Sequence, residues 1–506
     1  MENKEIKVIK NTLFMFLRMF FVMFLTLYST RLLLKTLGFE NYGIYDLVFG
    51  VVLLFNILSG SIATSLQRFY NVTQGNKLKQ SYIYSVSLQI FIIVSLLVLG
   101  LGLFFSKDII DFLDIPIDKI YTSIIFFKLC VFNLFFMIIR LPYIALLISN
   151  EKMGLYAFAS IIEAILKFLG IFLLEFWSEM DGVLSIYGVI LNIITLIVTC
   201  IFVLACFAKI DMPKFHLKNN KKYYKDVLSF SGWSLFGSSA VLLSQQGLSI
   251  LLNKFFGVLI NASNAIAQQV YSAVYQFVNS FQTAYSPYLM KTYADGDFEK
   301  LKKLIILFSK FSIFLYLLIA IPLFTFTTQI LQIWLHDVPL YTVIFVRLTI
   351  VVVLFEVMSG PLWLTIQASG VIHRYQVIVS LIMILNLPIA YFCFLYLNNP
   401  VLAFVVKIFT ALLAYAYRVY KVNELNCLNL KNYSRSIIFR SIVLIFIISP
   451  LMYYLSLKDL NIFEIFLNIA AVMFFLIIMS YLLLVDKVDH RKMRDLASKY
   501  LKRVKL

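Results

Sequence analysis

The sequence predicts an all-α polytopic membrane protein, and three observations carry that prediction. Of 506 residues, 61% are hydrophobic and only 14% charged, with a mean hydropathy of +0.90. A soluble chain of this size has no way to hide so much apolar surface. The apolar residues are also gathered into about fourteen runs, each near the 20 or so residues that span a bilayer as a helix. Finally, the basic residues alternate in register with those runs. With the N-terminus on the cytoplasmic side, about 30 Lys and Arg fall on inner segments and about 5 on outer ones, as the positive-inside rule requires.

Taken in order, the expected spans are 12–34, 44–66, 82–105, 120–148, 155–177, 183–208, 228–253, 262–290, 304–330, 341–366, 374–397, 400–420, 437–456 and 462–485. Lys4, Lys7 and Lys10 lead directly into the first span, with no pattern of a cleaved signal peptide. Inner segments then carry Arg68, Lys77, Lys79 and Lys152, the lysines from Lys209 to Lys225, Lys291 to Lys303, Arg374, and Arg418 to Arg435. The outer loops carry acids instead: Asp108, Asp111, Asp114, Asp118, Glu175, Glu179 and Asp181. The net charge of +18 is therefore a topology signal and not the footprint of a nucleic-acid site. All outer loops are short, the longest being 106–119, which leaves no external domain to house chemistry.

The longest inner loop, 209–227, follows the sixth span and reads as a basic linker between an N-terminal lobe at 1–208 and a C-terminal lobe at 228–421. Spans one and seven both start inside, so the two lobes are expected to be parallel six-helix repeats related by an axis along the membrane normal. Two further spans at 437–485 form an appendage. The basic tail at 486–506 suits a helix lying on anionic membrane lipids at the cytoplasmic face. Cys130, Cys200, Cys206, Cys393 and Cys427 form no CxxC pair, and His216, His336, His373 and His490 lack zinc-ligand spacing. Neither a disulfide, a metal nor a cofactor is expected.

Spans seven and eight depart from plain hydrophobicity. Ser231, Ser234, Ser238, Gln245, Ser249 and Asn253 fall on one narrow stripe of the first, at about 100° per residue. Asn264, Gln268, Tyr271, Tyr275, Asn279 and Gln282 do the same on the second. Lipid cannot satisfy amides and hydroxyls, so these stripes must face other helices or a wet cavity. For the serines, close helix packing explains the pattern equally well. The bulkier amides and tyrosines favour a cavity, where donors, acceptors and flat rings suit sugars.

Charges deep in a bilayer are costly and usually functional, whereas those near helix ends snorkel to the headgroups. Arg440 and Lys310 lie near inner ends, while Arg31, Arg347 and Lys407 lie toward the outer side. Lys128, Arg140, Glu163, Lys167 and Glu356 lie deeper, and Arg18 is intermediate. Glu163 and Lys167 are four residues apart and can pair, either as structural support or as an ion-sensitive switch. Glu356 on span ten has no local cation and is the better candidate for binding a proton or a sodium ion, a partner on another helix being the equal alternative. Arg140, two turns from the inner end of span four, is the leading phosphate ligand, because its planar fork makes paired bonds to phosphate oxygens. Pro142 beside it lacks an N–H and leaves a carbonyl unpaired. Lys128 farther out and Arg18 on span one complete that reading; the competing one is that Arg140 snorkels.

A family resemblance enters at Thr30-Arg31 followed by Leu37-Gly38-Phe39-Glu40-Asn41-Tyr42-Gly43-Ile44-Tyr45, which resembles the first-hairpin signature of polysaccharide-transport proteins. Phe255-Phe256-Gly257, Asn261-Ala262, Ala265 to Val270, Ser286-Pro287 and Lys291 to Gly296 look like the matching region of the second half. These are features of the multidrug/oligosaccharidyl-lipid/polysaccharide (MOP) exporter superfamily, and the chain most resembles its Wzx-type O-antigen flippases. The similarity runs the full length, carried by loose hairpin patterns and not by catalytic signatures. It implies a MATE-like two-lobed fold, alternating access, and an undecaprenyl-diphosphate-linked glycan as substrate. It further implies the bacterial cytoplasmic (inner) membrane as the location and a polysaccharide polymerase and other assembly proteins as working partners.

Two other functions remain to be weighed. A drug/cation antiporter of the same fold should have an acidic cavity, whereas here buried cations outnumber buried acids. An integral membrane O-antigen polymerase or ligase typically needs a large external loop or an arginine- and histidine-rich outer site. The chain has neither, and it shows no P-loop for ATP.

Overall fold

Helices form where the apolar runs lie, and glycines mark the tightest turns between them. A computed structural model describes residues 21–52, 66, 70, 77–150, 152–177, 182–210, 212–216, 221–369, 373–456 and 461–484. Residues 21–52 (α1) are helical on both sides of a break at Gly38, whose φ is +74°. Asn41 donates to Leu37 O at 2.9 Å across that break. The same device recurs at Gly257, with φ +83° and its N–H donating to Asn253 O at 2.8 Å. Only glycine takes such a left-handed cap without strain.

The helices after α1 are α2 (Lys77–Phe104), α3 (Ser106–Phe112), α4 (Ile120–Ser149), α5 (Met153–Leu174), α6 (Val183–Lys209), α7 (Lys221–Phe256) and α8 (Val258–Ala294). Then come α9 (Phe298–Thr325), α10 (Thr327–Leu335), α11 (Thr342–Ser369), α12 (His373–Ile384), α13 (Asn386–Leu397), α14 (Leu402–Glu424), α15 (Leu430–Tyr433), α16 (Arg440–Ser456) and α17 (Ile462–Leu484). No strand occurs among the described residues. Ten helices there are long and apolar enough to cross a membrane. The two that carry the polar stripes, α7 and α8, are not among the ten, although they run to 36 and 37 residues. Their amides and hydroxyls dilute the apolarity that defines a span.

Several details differ from the sequence expectation. The outer segment 106–119 is not open loop, because α3 and a short 3-10 turn at Ile117–Lys119 occupy much of it. The expected span at 374–397 is found from Arg374 to Leu397, but its helix is interrupted at Leu385, three residues before Pro388. Proline has no N–H to donate to the carbonyl four residues earlier, that of Ile384, so the helical hydrogen bonding is interrupted at that point. Helix α7 begins at Lys221, inside the stretch read as a linker. The preceding segment is docked: the N–H groups of Lys214 and His216 donate to Ser81 and Ser85 of α2 at 3.1 and 2.8 Å. The tail from 486 and residues 1–20 lie outside the described residues.

By contacts the chain divides into two units. The first takes the chain to Ile266, with 339–342 and 383–403; the second takes 267–338, 343–382 and the remainder from Phe404. This division follows contact and not internal repetition, so the repeat boundary at 208/228 stays a proposal. In the first unit α4 packs against both α2 and α6, and α5 packs against α6. Small residues permit the approach, since a Cβ on Gly102 would meet Val131 at 2.8 Å and one on Gly188 would meet Leu129 at 2.9 Å. Amides join α4 to α6: Asn133 donates to Leu191 O at 3.0 Å and Thr195 Oγ1 at 2.7 Å, and Asn192 donates to Leu129 O at 2.9 Å. In the second unit α9 packs against α16 and α17, and Phe345 of α11 stacks on Phe404 of α14 at 4.4 Å.

Candidate functional site

The polar stripes separate by unit. The whole α7 stripe and Asn264 near the start of α8 belong to the first unit, and the members nearest the hairpin turn are taken up by packing. Ser249 donates to Asn261 Oδ1, Asn261 donates to Gly43 O at 3.2 Å, and Asn253 donates to Leu113 O. Asn264 is buried at 2% exposure. Gln245 is half-buried, whereas the side chains of Ser231, Ser234 and Ser238 lie outside the described residues. The α8 members from Gln268 onward belong to the second unit. There Gln282 is buried and donates to Val357 O at 3.2 Å, filling the space over Gly360, where a Cβ would meet its amide at 2.2 Å. Gln268 and Tyr275 are half-buried and Asn279 is exposed.

Tyr271 and Tyr275, one turn apart on α8, stack with ring centroids 5.8 Å apart and planes within 10°. Tyr271 donates its hydroxyl proton to Glu356 of α11. Above the same Tyr271 ring, 5.2 Å from its centroid, stands the Lys407 ammonium of α14. That nitrogen is buried and has no hydrogen-bond partner among the described residues. Eleven residues on, and so on nearly the same helix face, Arg418 donates from Nε to Tyr375 Oη at 2.7 Å and from Nη1 to Ser359 Oγ at 2.9 Å. Lys407 and Arg418 both lie within electrostatic reach of Glu356. Sequence reasoning placed Glu356 correctly in mid-span but missed its cationic neighbours, because they come from a helix some fifty residues later in the chain. It counted Arg418 among the inner topology charges and read Lys407 only as a residue toward the outer side.

A second charged group lies in the first unit. Arg140 of α4 clasps Glu163 of α5 through both terminal nitrogens, at 3.0 and 3.4 Å, and Lys167 reaches the same carboxylate at 2.8 Å. Arg140 is 8% exposed, and its guanidinium lies 5.9 Å from the Phe202 ring centroid. The i,i+4 pair was legible from spacing; its third member was not, since it comes from the neighbouring helix. Lys128 is exposed on α4 and does not join this group. Arg18 lies outside the described residues. Asp46, hydrogen-bonded to Asn261, falls within the expected span 44–66 and was not singled out in the sequence. No cluster of His, Cys, Asp and Glu able to hold a metal occurs among the described residues.

This helical frame, with its hairpins and buried charges, can be compared with known proteins. Residues 8–293 match the family described as polysaccharide biosynthesis protein. The chain belongs to that family. No curated relative matches the sequence. Among solved structures, an inward-facing multidrug resistance MATE transporter of the MOP superfamily aligns with a TM-score of 0.70 at 12% identity, over 79% of this chain and 95% of that one. The lipid II flippase MurJ, in an inward closed conformation, aligns with a TM-score of 0.68 at 13% identity, over 94% of this chain and 98% of that one. A MOP transporter from Pyrococcus furiosus, reported with a binding pocket of reverse polarity, aligns with a TM-score of 0.62 at 13% identity, over 82% and 96%. At these identities the likeness establishes the fold, which is that of MOP-superfamily transporters. The ten long apolar helices and this fold fit a multi-pass membrane protein.

Proposed function

We propose that the chain is a flippase carrying an undecaprenyl-diphosphate-linked oligosaccharide, an O-antigen or related surface polysaccharide repeat unit, from the cytoplasmic to the outer leaflet of the bacterial inner membrane by alternating access. The observation that carries this reading is the pairing of tyrosine faces with an excess of cations in the second unit. A glycan needs flat apolar faces and amides, and a diphosphate needs cations away from water. In the second unit Tyr271, Tyr275, Gln268 and Asn279 serve the sugars, with Gln282 tying α8 to α11; Gln245 of α7, in the first unit, is proposed as a contact in its own right. Arg18, Lys128 and Arg140 are proposed contacts for the diphosphate. Arg140 enters as a guarded cation: its fork is occupied by Glu163, so a phosphate reaches it only by displacing a carboxylate that Lys167 can hold. That exchange, and protonation of Glu356 among Tyr271, Tyr275, Tyr375, Lys407 and Arg418, are the proposed coupling steps. Two nearby cations repel a sodium ion and also oppose protonation of Glu356, so the carboxylate takes up a proton only when an arriving anion neutralises them.

The MATE likeness keeps a drug/cation antiporter in view. Against it, the ionisable groups around Glu356 comprise two cations and one acid, the wrong balance for a cationic drug. Cells separate the two readings. In a strain lacking the gene, the lipid-linked repeat unit should accumulate in a form that a glycosidase added to spheroplasts cannot reach, and the gene should restore both exposure and surface glycan. Unaltered glycan display with increased sensitivity to cationic dyes would identify an antiporter instead.

A further inference from the structure

Lys407 has no role in the packing described so far. Its ammonium is buried, lacks a hydrogen-bond partner among the described residues, and rests only on the Tyr271 ring. A desolvated ammonium without acceptors is expensive, so such a group persists where something else supplies the acceptors. Glu356 is the obvious anion nearby, yet it accepts from Tyr271 and makes no ion pair with Lys407. Arg418 adds a second positive charge, and its anchoring by Tyr375 and Ser359 uses Nε and Nη1. One carboxylate therefore faces two cations, with one positive charge in excess inside a membrane-embedded bundle.

We propose that Lys407 is a ligand for a phosphate-type oxyanion, that Arg418 reinforces it electrostatically, and that Glu356 is the internal competitor for the same ammonium. This places an anion site on α14, separate from the Arg140 group. On the flippase reading the oxyanion is the diphosphate of the lipid-linked substrate, and the proposal rests on that reading for the source of the anion only. A free diphosphate or an ordinary phospholipid headgroup has the same chemistry. The stacked Tyr271–Tyr275 pair beside the ammonium then places a flat aromatic platform next to the sugar that follows the phosphates.

The test is direct binding to the purified full chain in nanodiscs, with three probes: a polyprenyl diphosphate, inorganic pyrophosphate and phosphatidylglycerol. Lys407→Gln should weaken polyprenyl diphosphate binding roughly tenfold or more, the usual worth of a charged hydrogen bond. Lys407→Arg should retain most of it, and Glu356→Gln should retain or tighten it by removing the competitor. Should Lys407→Gln fail to fold, Lys407→Arg and Glu356→Gln still decide, because loss of affinity in Glu356→Gln contradicts competition. Wild-type affinity in both Lys407→Gln and Arg418→Gln overturns the site while leaving the flippase reading intact. Lys407-dependent binding of pyrophosphate without any binding of the polyprenyl lipid upholds the site and removes the flippase reading. Equal Lys407-dependent binding of phosphatidylglycerol upholds a phosphate site and identifies bulk lipid as its source.

Discussion

Arg140 shows at the residue scale how a buried charge is made tolerable. Two hydrogen bonds tie it to Glu163, and Lys167 holds the same carboxylate. Removing Arg140 leaves the carboxylate to Lys167 alone, so the cost is below the roughly 3–5 kcal/mol of a wholly unpaired buried charge. Arg140→Ala should therefore lower the folded yield and the melting temperature in detergent, and Arg140→Ala/Glu163→Gln should recover part of both. If Arg140→Ala instead folds normally and loses only transport, the guanidinium acts on substrate and the pairing is incidental. Spacing within one helix made the Glu163–Lys167 pair legible in the sequence. The Arg140–Glu163 and Tyr271–Glu356 bonds were not legible, because 23 and 85 positions separate the partners and only packing brings them together.

The α7–α8 hairpin shows at the scale of elements why a polar stripe has no single meaning. The stripe was legible from periodicity, but its two uses were not, since Asn264 and Gln268 look alike in sequence. Asn264 is buried, whereas Gln268 is half-buried. Single cysteines at Gln268, Tyr275 and Asn279 should react with a water-soluble thiol reagent, and cysteines at Asn261 and Gln282 should not. Uniform inertness along 268–279 would mean the whole face is packing and would remove the glycan contacts. The hairpins also meet closely. A Cβ on Gly43 would stand 2.2 Å from Val258 O and 3.5 Å from Ala262 Cβ. Counting from Gly38 and Gly257, Gly43 and Ala262 occupy the same place in their hairpins, which supports the proposed repeat. A backbone atom cannot yield easily, so Gly43→Val should destabilise the protein by roughly 1–3 kcal/mol. Gly100→Ala, with nothing within 4 Å, should be neutral or slightly stabilising, because alanine favours helix. Equal melting temperatures for Gly43→Val and Gly100→Ala would show that the close approach carries no weight.

For the whole molecule, the helical class followed from hydropathy, since the spans repeat one signal many times over. The transporter fold needed the hairpin motifs as well, because composition alone fits any bundle of membrane helices. On the topology expected from the charge asymmetry, 209–216, between α6 and α7, faces the cytoplasm, and a protease site or epitope inserted there should be reachable only from that side. The central claim concerns cargo, and reconstitution tests it most directly. Proteoliposomes containing the purified chain would be loaded with a fluorescent oligosaccharide on undecaprenyl diphosphate, and outer-leaflet exposure followed by a membrane-impermeant quencher. The account predicts that exposure of this lipid rises faster than in protein-free vesicles, and that Lys407→Gln slows the rise. Exposure no faster than in protein-free vesicles, alongside efflux of a cationic dye from the same preparation, would contradict it.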